Sequence, residues 1–133
     1  MSLLDSLPEG CPVGVDTAPF IYFIEGHDVY GPLIRPFFAQ RVKPGLNQII
    51  TSVVTLSEML VQPLRDERTD AIERYRRLLT HGRNVKLVAI DASVAEKASN
   101  LRAMHGIRLP DAFQIAAALQ HGARYFLTPT TCG

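Results

Sequence analysis

Residues 106–128, GIRLPDAFQIAAALQHGARYFLT, constrain the fold more than any other stretch. The run Ala112, Phe113, Ile115, Ala116, Ala117, Ala118, Leu119 is broken only by Gln114 and Gln120. A helix this apolar has to be buried on most of its sides. Pro110 fits the first helical turn, where its missing N–H costs nothing. Asp111 stands at the same end, where unpaired N–H groups and the helix dipole favour an ionised carboxylate. His121-Gly122 closes the helix, and residues 123–127 (ARYFL) read as a short buried strand.

The rest of the chain supplies strands and helices in alternation. Residues 13–15 form a short strand running into Asp16, with a helix starting near Pro19 through Phe20, Ile21, Phe23 and Ile24. After a turn-rich break at 26–31, residues 32–40 read as an amphipathic helix ending before Pro44-Gly45. Residues 47–53 are a second strand candidate, and a helix follows from Thr55 with Pro63 near its end. Helical spacing of Ala71, Ile72, Tyr75, Leu78 and Leu79 marks residues 65–79, closed by His81-Gly82. Residues 86–90 (KLVAI) are a third strand. Asp91 or Ser93 then caps a helix with Val94, Ala98, Leu101 and Met104 on its apolar side, ending at His105-Gly106. Strand–helix alternation of this kind predicts an α/β domain with a mostly parallel central sheet flanked by helices.

Composition narrows the partners and the compartment. Residues 1–133 make one domain, and 47% hydrophobic with 20% charged residues is ordinary for a soluble protein. Fourteen basic against thirteen acidic residues leave a net charge of +1, so any nucleic-acid footprint must be local. Cys11 and Cys132 lie far apart with no metal-ligand spacing, which predicts neither a disulfide scaffold nor a zinc site. No apolar run approaches the roughly 20 residues of a membrane span. The start, residues 1–11, reads as a loose lead without signal-peptide character, so a cytoplasmic protein with no membrane association is expected.

Functional crevices of parallel α/β sheets lie outside the carboxyl ends of the strands. Asp16 follows the first strand, Glu58 falls in the first turn of the helix after the second, and Asp111 opens the buried helix. Three carboxylates at one edge repel unless a proton or a divalent cation neutralises them. An all-oxygen set suits Mg²⁺ or Mn²⁺, which pair with phosphates and so point to phosphodiester chemistry. Taken singly, each acid also has a structural reading. Asp16 caps a helix, Thr55-x-x-Glu58 matches a capping box, and Asp111 is a favourable first-turn charge. His81, His105 and His121 precede glycines at helix ends and read as caps, with His27 in a loop.

The segments VGVDTAPFIYFI, ITSVVTLSEMLVQPL and MHGIRLPDAFQIAAALQHGARYFLT resemble the PIN domain, the fold of the VapC toxins of type II toxin–antitoxin systems, over almost the whole chain. The resemblance implies a PIN-like three-layer fold and a Mg²⁺- or Mn²⁺-dependent endoribonuclease, with Asp16, Glu58 and Asp111 as catalytic metal ligands. It also implies RNA as substrate, a cognate antitoxin and a homodimer, for which Phe37, Phe38 and the helices around Leu60 and Leu64 offer apolar surface. Thr17 and Thr128 are candidates for contacts to water or phosphate. Arg74, Arg77, Arg102 and Arg108 are candidates for RNA, although acids interleave the cluster from Arg68 to Lys86 as on an ordinary solvated helix.

The family pattern continues from the last strand into Thr-Asn-Asp, which supplies a fourth acid. Here Thr128 is followed by Pro129 and Thr130, and the tail 129–133 is atypical. Read two bases out of frame, the codons for PTTCG allow Asn-Asp-Leu-Arg directly after Thr128. A C-terminal frameshift that removed the fourth acid is therefore expected, and a catalytically impaired RNA- or protein-binding module is the second reading of the function.

Overall fold

Alternation along the first strand decides which helices lie on which side of the sheet. The computed structural model describes residues 7–128, in which β1 (Val13–Val15), β2 (Ile49–Ser52), β3 (Val85–Val88) and β4 (Tyr125–Leu127) form one sheet of order β3-β2-β1-β4. Every neighbouring pair is parallel, with Val13 opposite both Ile49 and Tyr125. Val13, Val15 and Ile49 point to one face and pack with Phe20 of α1 (Thr17–Glu25), Met59 of α3 (Val53–Arg65) and Leu79 of α4 (Thr69–His81). Ile50 and Val88 point to the other face. There they meet Val94 and Ala98 of α5 (Ala92–His105) and Ala112, Ala116 and Ala117 of α6 (Leu109–Gln120). The result is the three-layer α/β fold with helices on both faces that the sequence predicts.

Gly14 lies between these layers. A Cβ added there would sit 2.5 Å from Phe126 Cδ2 and 2.7 Å from Ala118 Cβ. Its absence lets α6 seat its alanine face directly against β1. The helix is buried along Ala112, Gln114, Ala116, Ala117 and Ala118, as its composition demands, while Leu119 at its far end is 51% exposed.

Several local expectations are corrected. The helix expected over 32–40 is two pieces, α2 (Gly31–Pro36) and a π-helical turn (Phe37–Val42). Pro36 has no N–H to continue the α ladder, and beyond it the Lys43 N–H reaches back five residues to the Phe38 carbonyl. Phe37 and Phe38 are buried at 3% and 7% exposure, Phe38 stacking on Phe23, so they belong to the core and offer no dimer surface. The last strand is not buried: it is the sheet edge, and Tyr125 is 43% exposed. Met104 likewise points outward, at 75% exposure. Asp91, rather than Ser93, caps α5 by accepting from the Val94 N–H at 2.9 Å.

Residues 7–11 are tied down, unlike the loose lead expected there. Asn47, at 1% exposure, donates to the carbonyls of Pro8 and Cys11, and Arg41 donates to the Leu7 carbonyl. Residues 1–6 and the tail 129–133, including the proposed frameshift, lie outside the described residues. Among the described residues no helix is long and apolar enough to cross a membrane.

Replacing Gly14 with Ala forces β1 and α6 apart. We expect a loss of about 1–3 kcal/mol in unfolding free energy, measured by urea denaturation, whereas Gly26→Ala, where no atom crowds the added Cβ, is limited to the cost of its left-handed φ. A second expectation concerns Tyr75, which is buried in α4 and donates its hydroxyl to Glu25 Oε1 of α1 at 3.2 Å. Burial, reinforced by the Glu25 charge, pushes the phenol up from its ordinary 10.0. The neutral phenol is therefore favoured in the fold. Its contribution is complete below the unfolded tyrosine value and fades as pH rises past that value through the raised one. Tyr75→Phe should remove this alkaline loss from a plot of stability against pH.

Candidate active site at the carboxyl edge of the sheet

β1 and β2 end side by side, and each hands the chain directly to a helix. Asp16 caps α1, accepting from the Thr17 N–H at 2.8 Å. It lies where the sheet order reverses, since β4 returns to the free side of β1, and its own N–H donates to the Leu127 carbonyl at 3.0 Å. Ligand sites of parallel sheets form at such a reversal. Thr128, just past β4, donates to Asp16 Oδ2 at 3.3 Å. Helix α1 thus begins at Thr17, earlier than Pro19, with Asp16 as both cap and edge carboxylate.

The helix after β2 also begins earlier than its sequence suggests. Ser52, fully buried, is the cap, its Oγ accepting from the Val54 N–H at 3.2 Å. The capping box expected at Thr55 and Glu58 does not form, and Glu58 sits in the second turn rather than the first. Thr55 is instead buried inside the helix, and Glu58 Oε1 accepts from the Thr17 hydroxyl at 3.0 Å. One hydroxyl therefore joins the residue after Asp16 to Glu58.

Asp111 occupies the first turn of α6 and is half-exposed, with Arg108 Nε 3.6 Å from its Oδ2. One turn further along the same face, Gln114 reaches Asp16 Oδ1 with its Nε2 at 3.3 Å. Asp16 and Glu58 are thus linked through Thr17, and Asp111 stands one helical turn from the amide that touches Asp16. Among the described residues no three His, Cys, Asp or Glu side chains are gathered into a metal-holding group. The donor chemistry nevertheless suits a hard divalent cation. Asp16 and Glu58 receive hydrogen bonds from neutral donors and pair with no Lys or Arg among the described residues.

The basic residues divide. Arg74 and Arg77 pair with Asp70 and Glu73 on their own helix, at 3.6 and 3.9 Å, so α4 largely neutralises itself. Arg102 donates to the Ile107 carbonyl at 3.2 Å, and Arg108 is 78% exposed beside Asp111. Gln114 was visible in sequence only as a break in an apolar run. Its position three residues after Asp111, on the same helical face, was the available signal.

The PIN domain model matches residues 13–128. No curated protein sequence matches the chain significantly. Among solved structures, a toxin–antitoxin complex from Klebsiella pneumoniae is similar at a TM-score of 0.66 and 22% identity, over 92% of this chain and 88% of that one. VapC20 of Mycobacterium tuberculosis, described as a toxin cleaving the sarcin–ricin loop, is similar at 0.69 and 17% identity, over 86% of each chain. VapBC2 of Rickettsia felis, bound to a DNA fragment from its promoter, is similar at 0.66 and 16% identity, over 90% and 88%. A family match running from β1 through Thr128, over a parallel sheet of order β3-β2-β1-β4, establishes that the chain belongs to the PIN domain family.

Proposed function

We propose that the chain is a metal-dependent endoribonuclease, a toxin of a type II toxin–antitoxin pair. The observation that carries the reading is the pairing of Asp16 and Glu58 through Thr17 at the reversal of the sheet, with neutral donors around both carboxylates. Asp16 and Glu58, with Asp111, would hold Mg²⁺ or Mn²⁺. When bound, such an ion makes a water acidic enough to attack at neutral pH and offsets charge on the phosphodiester. Thr17 donates to one oxygen of Glu58, and Asp16 accepts from Thr128 at one oxygen and from the Thr17 N–H and Gln114 at the other, so both carboxylates are held by neutral donors. Arg108 and Arg102 would meet phosphate on the approach to Asp111, Arg108 by leaving its exposed pair with that carboxylate. Arg74 and Arg77, held by acids, are weaker candidates.

The similar Klebsiella structure is a toxin–antitoxin complex, so a cognate antitoxin belongs to the same reading. A homodimer belongs to it too, with Leu64, 56% exposed, and Val61, 43% exposed, as the apolar surface that α3 leaves open. The second reading, an impaired RNA- or protein-binding module, is favoured by the Arg108–Asp111 pair, which engages one of the expected ligands.

The purified chain should cut RNA with Mn²⁺ or Mg²⁺ and stop on chelation. Asp16→Asn should reduce cleavage to background while the fold persists, because Asn caps helices about as well as Asp. Asp111→Asn should weaken Mn²⁺ binding with little change in stability, the Arg108 pair being exposed and worth little. RNA binding without cleavage by the wild type would establish the second reading, and full activity in both variants would overturn the first.

A further inference from the structure

Gln114 is a buried polar side chain of the site, at 3% exposure in the middle of an alanine-lined helix. Burying an amide there is costly unless all of its groups are matched. They are. Its Nε2 reaches Asp16 Oδ1 at 3.3 Å and Thr55 Oγ1 in a short contact, and its Oε1 lies 2.6 Å from Ser52 Oγ.

Chemistry orients the amide without ambiguity. An ionised Asp16 carboxylate only accepts, so the nitrogen must face it and the oxygen must face Ser52. Ser52 has one hydroxyl proton, which goes to Gln114, while its lone pair takes the Val54 N–H that starts α3. Thr17 Oγ1 lies 3.0 Å from Glu58 Oε1 and 3.2 Å from Thr55 Oγ1. Its single proton serves the acceptor-only carboxylate, so Thr55 donates to Thr17 across the second contact. Donors then run in one direction: Gln114 to Asp16 directly, and Gln114 to Thr55 to Thr17 to Glu58.

We propose that Gln114 is the positioning residue of the site, its amide clamped by Ser52 so as to hold Asp16 directly and Glu58 through Thr55 and Thr17. The inference rests on the reading of Asp16 and Glu58 as metal ligands. It assigns to α6 a role separate from carrying Asp111: one amide registers the ends of β1 and β2 against each other. Outer partners of this kind govern metal affinity by orienting the ligands themselves.

Mn²⁺ affinity, read by electron paramagnetic resonance on the full chain, tests it independently of RNA cleavage. Gln114→Met keeps volume and helix propensity and removes the donors, and should weaken Mn²⁺ binding by about tenfold or more with cooperative unfolding retained. Ser52→Ala, which touches neither carboxylate, should weaken binding in the same direction. The double variant should bind Mn²⁺ no worse than Gln114→Met alone beyond what the lost α3 cap costs, because the rest of the Ser52 effect passes through the same amide. Wild-type affinity in a folded Gln114→Met overturns the proposal. Should that variant fail to fold, unchanged affinity in Ser52→Ala overturns it instead. Mn²⁺ binding that responds to these variants without any RNA cleavage upholds the positioning role and refutes the nuclease. A wild type that binds no Mn²⁺ refutes both.

Discussion

The close approach of α6 to β1 at Gly14 is the constraint on which the rest of the molecule depends. With no side chain at that point, the alanines of α6 lie directly against the strand. The helix is brought near enough for a side chain as short as glutamine to reach both strand ends. Were α6 held off by even a methyl group, Asp16 would lose its buried donor and Ser52 its acceptor. Packing and polar geometry are therefore one problem here, solved by small residues on a helix and a glycine in a strand.

Much of this was legible in the sequence, and the exceptions share a cause. Asp16 after a valine strand and Asp111 after Pro110 are local signals, and both residues fall where those signals place them, at a strand end and a helix start. The start of α3 was misread because Thr55-x-x-Glu58 imitates a capping box, while the true cap, Ser52, is hidden at the end of an apolar strand. Its acceptor is 62 residues away, on another element, where no local pattern reports it. The outward turn of Met104 and Leu119, the inward turn of Phe37 and Phe38, and the edge position of β4 likewise depend on which strand neighbours which. Periodicity gives the element and leaves its surroundings open.

Electrostatics separates the two halves of the surface. Helix α4 carries most of the interleaved charge and cancels it locally, at 51–74% arginine exposure, where pairs contribute little. At the sheet edge the opposite holds. Asp16 and Glu58 are surrounded by hydroxyls, an amide and the N-terminal ends of α1 and α3. Neutral donors of this kind satisfy carboxylate oxygens without cancelling their charge, which leaves that charge available to something arriving from solvent.

The central strand pairs on one side with a strand 36 residues later and on the other with one 112 residues later. During synthesis β1 and β2 leave the ribosome first, whereas Asp16 gains the Leu127 carbonyl and the Thr128 hydroxyl only when the final strand has followed. The same delay applies to Gln114. A nascent chain therefore carries the acids of the site long before it carries their arrangement, and the edge becomes a site only once translation of the domain is finished.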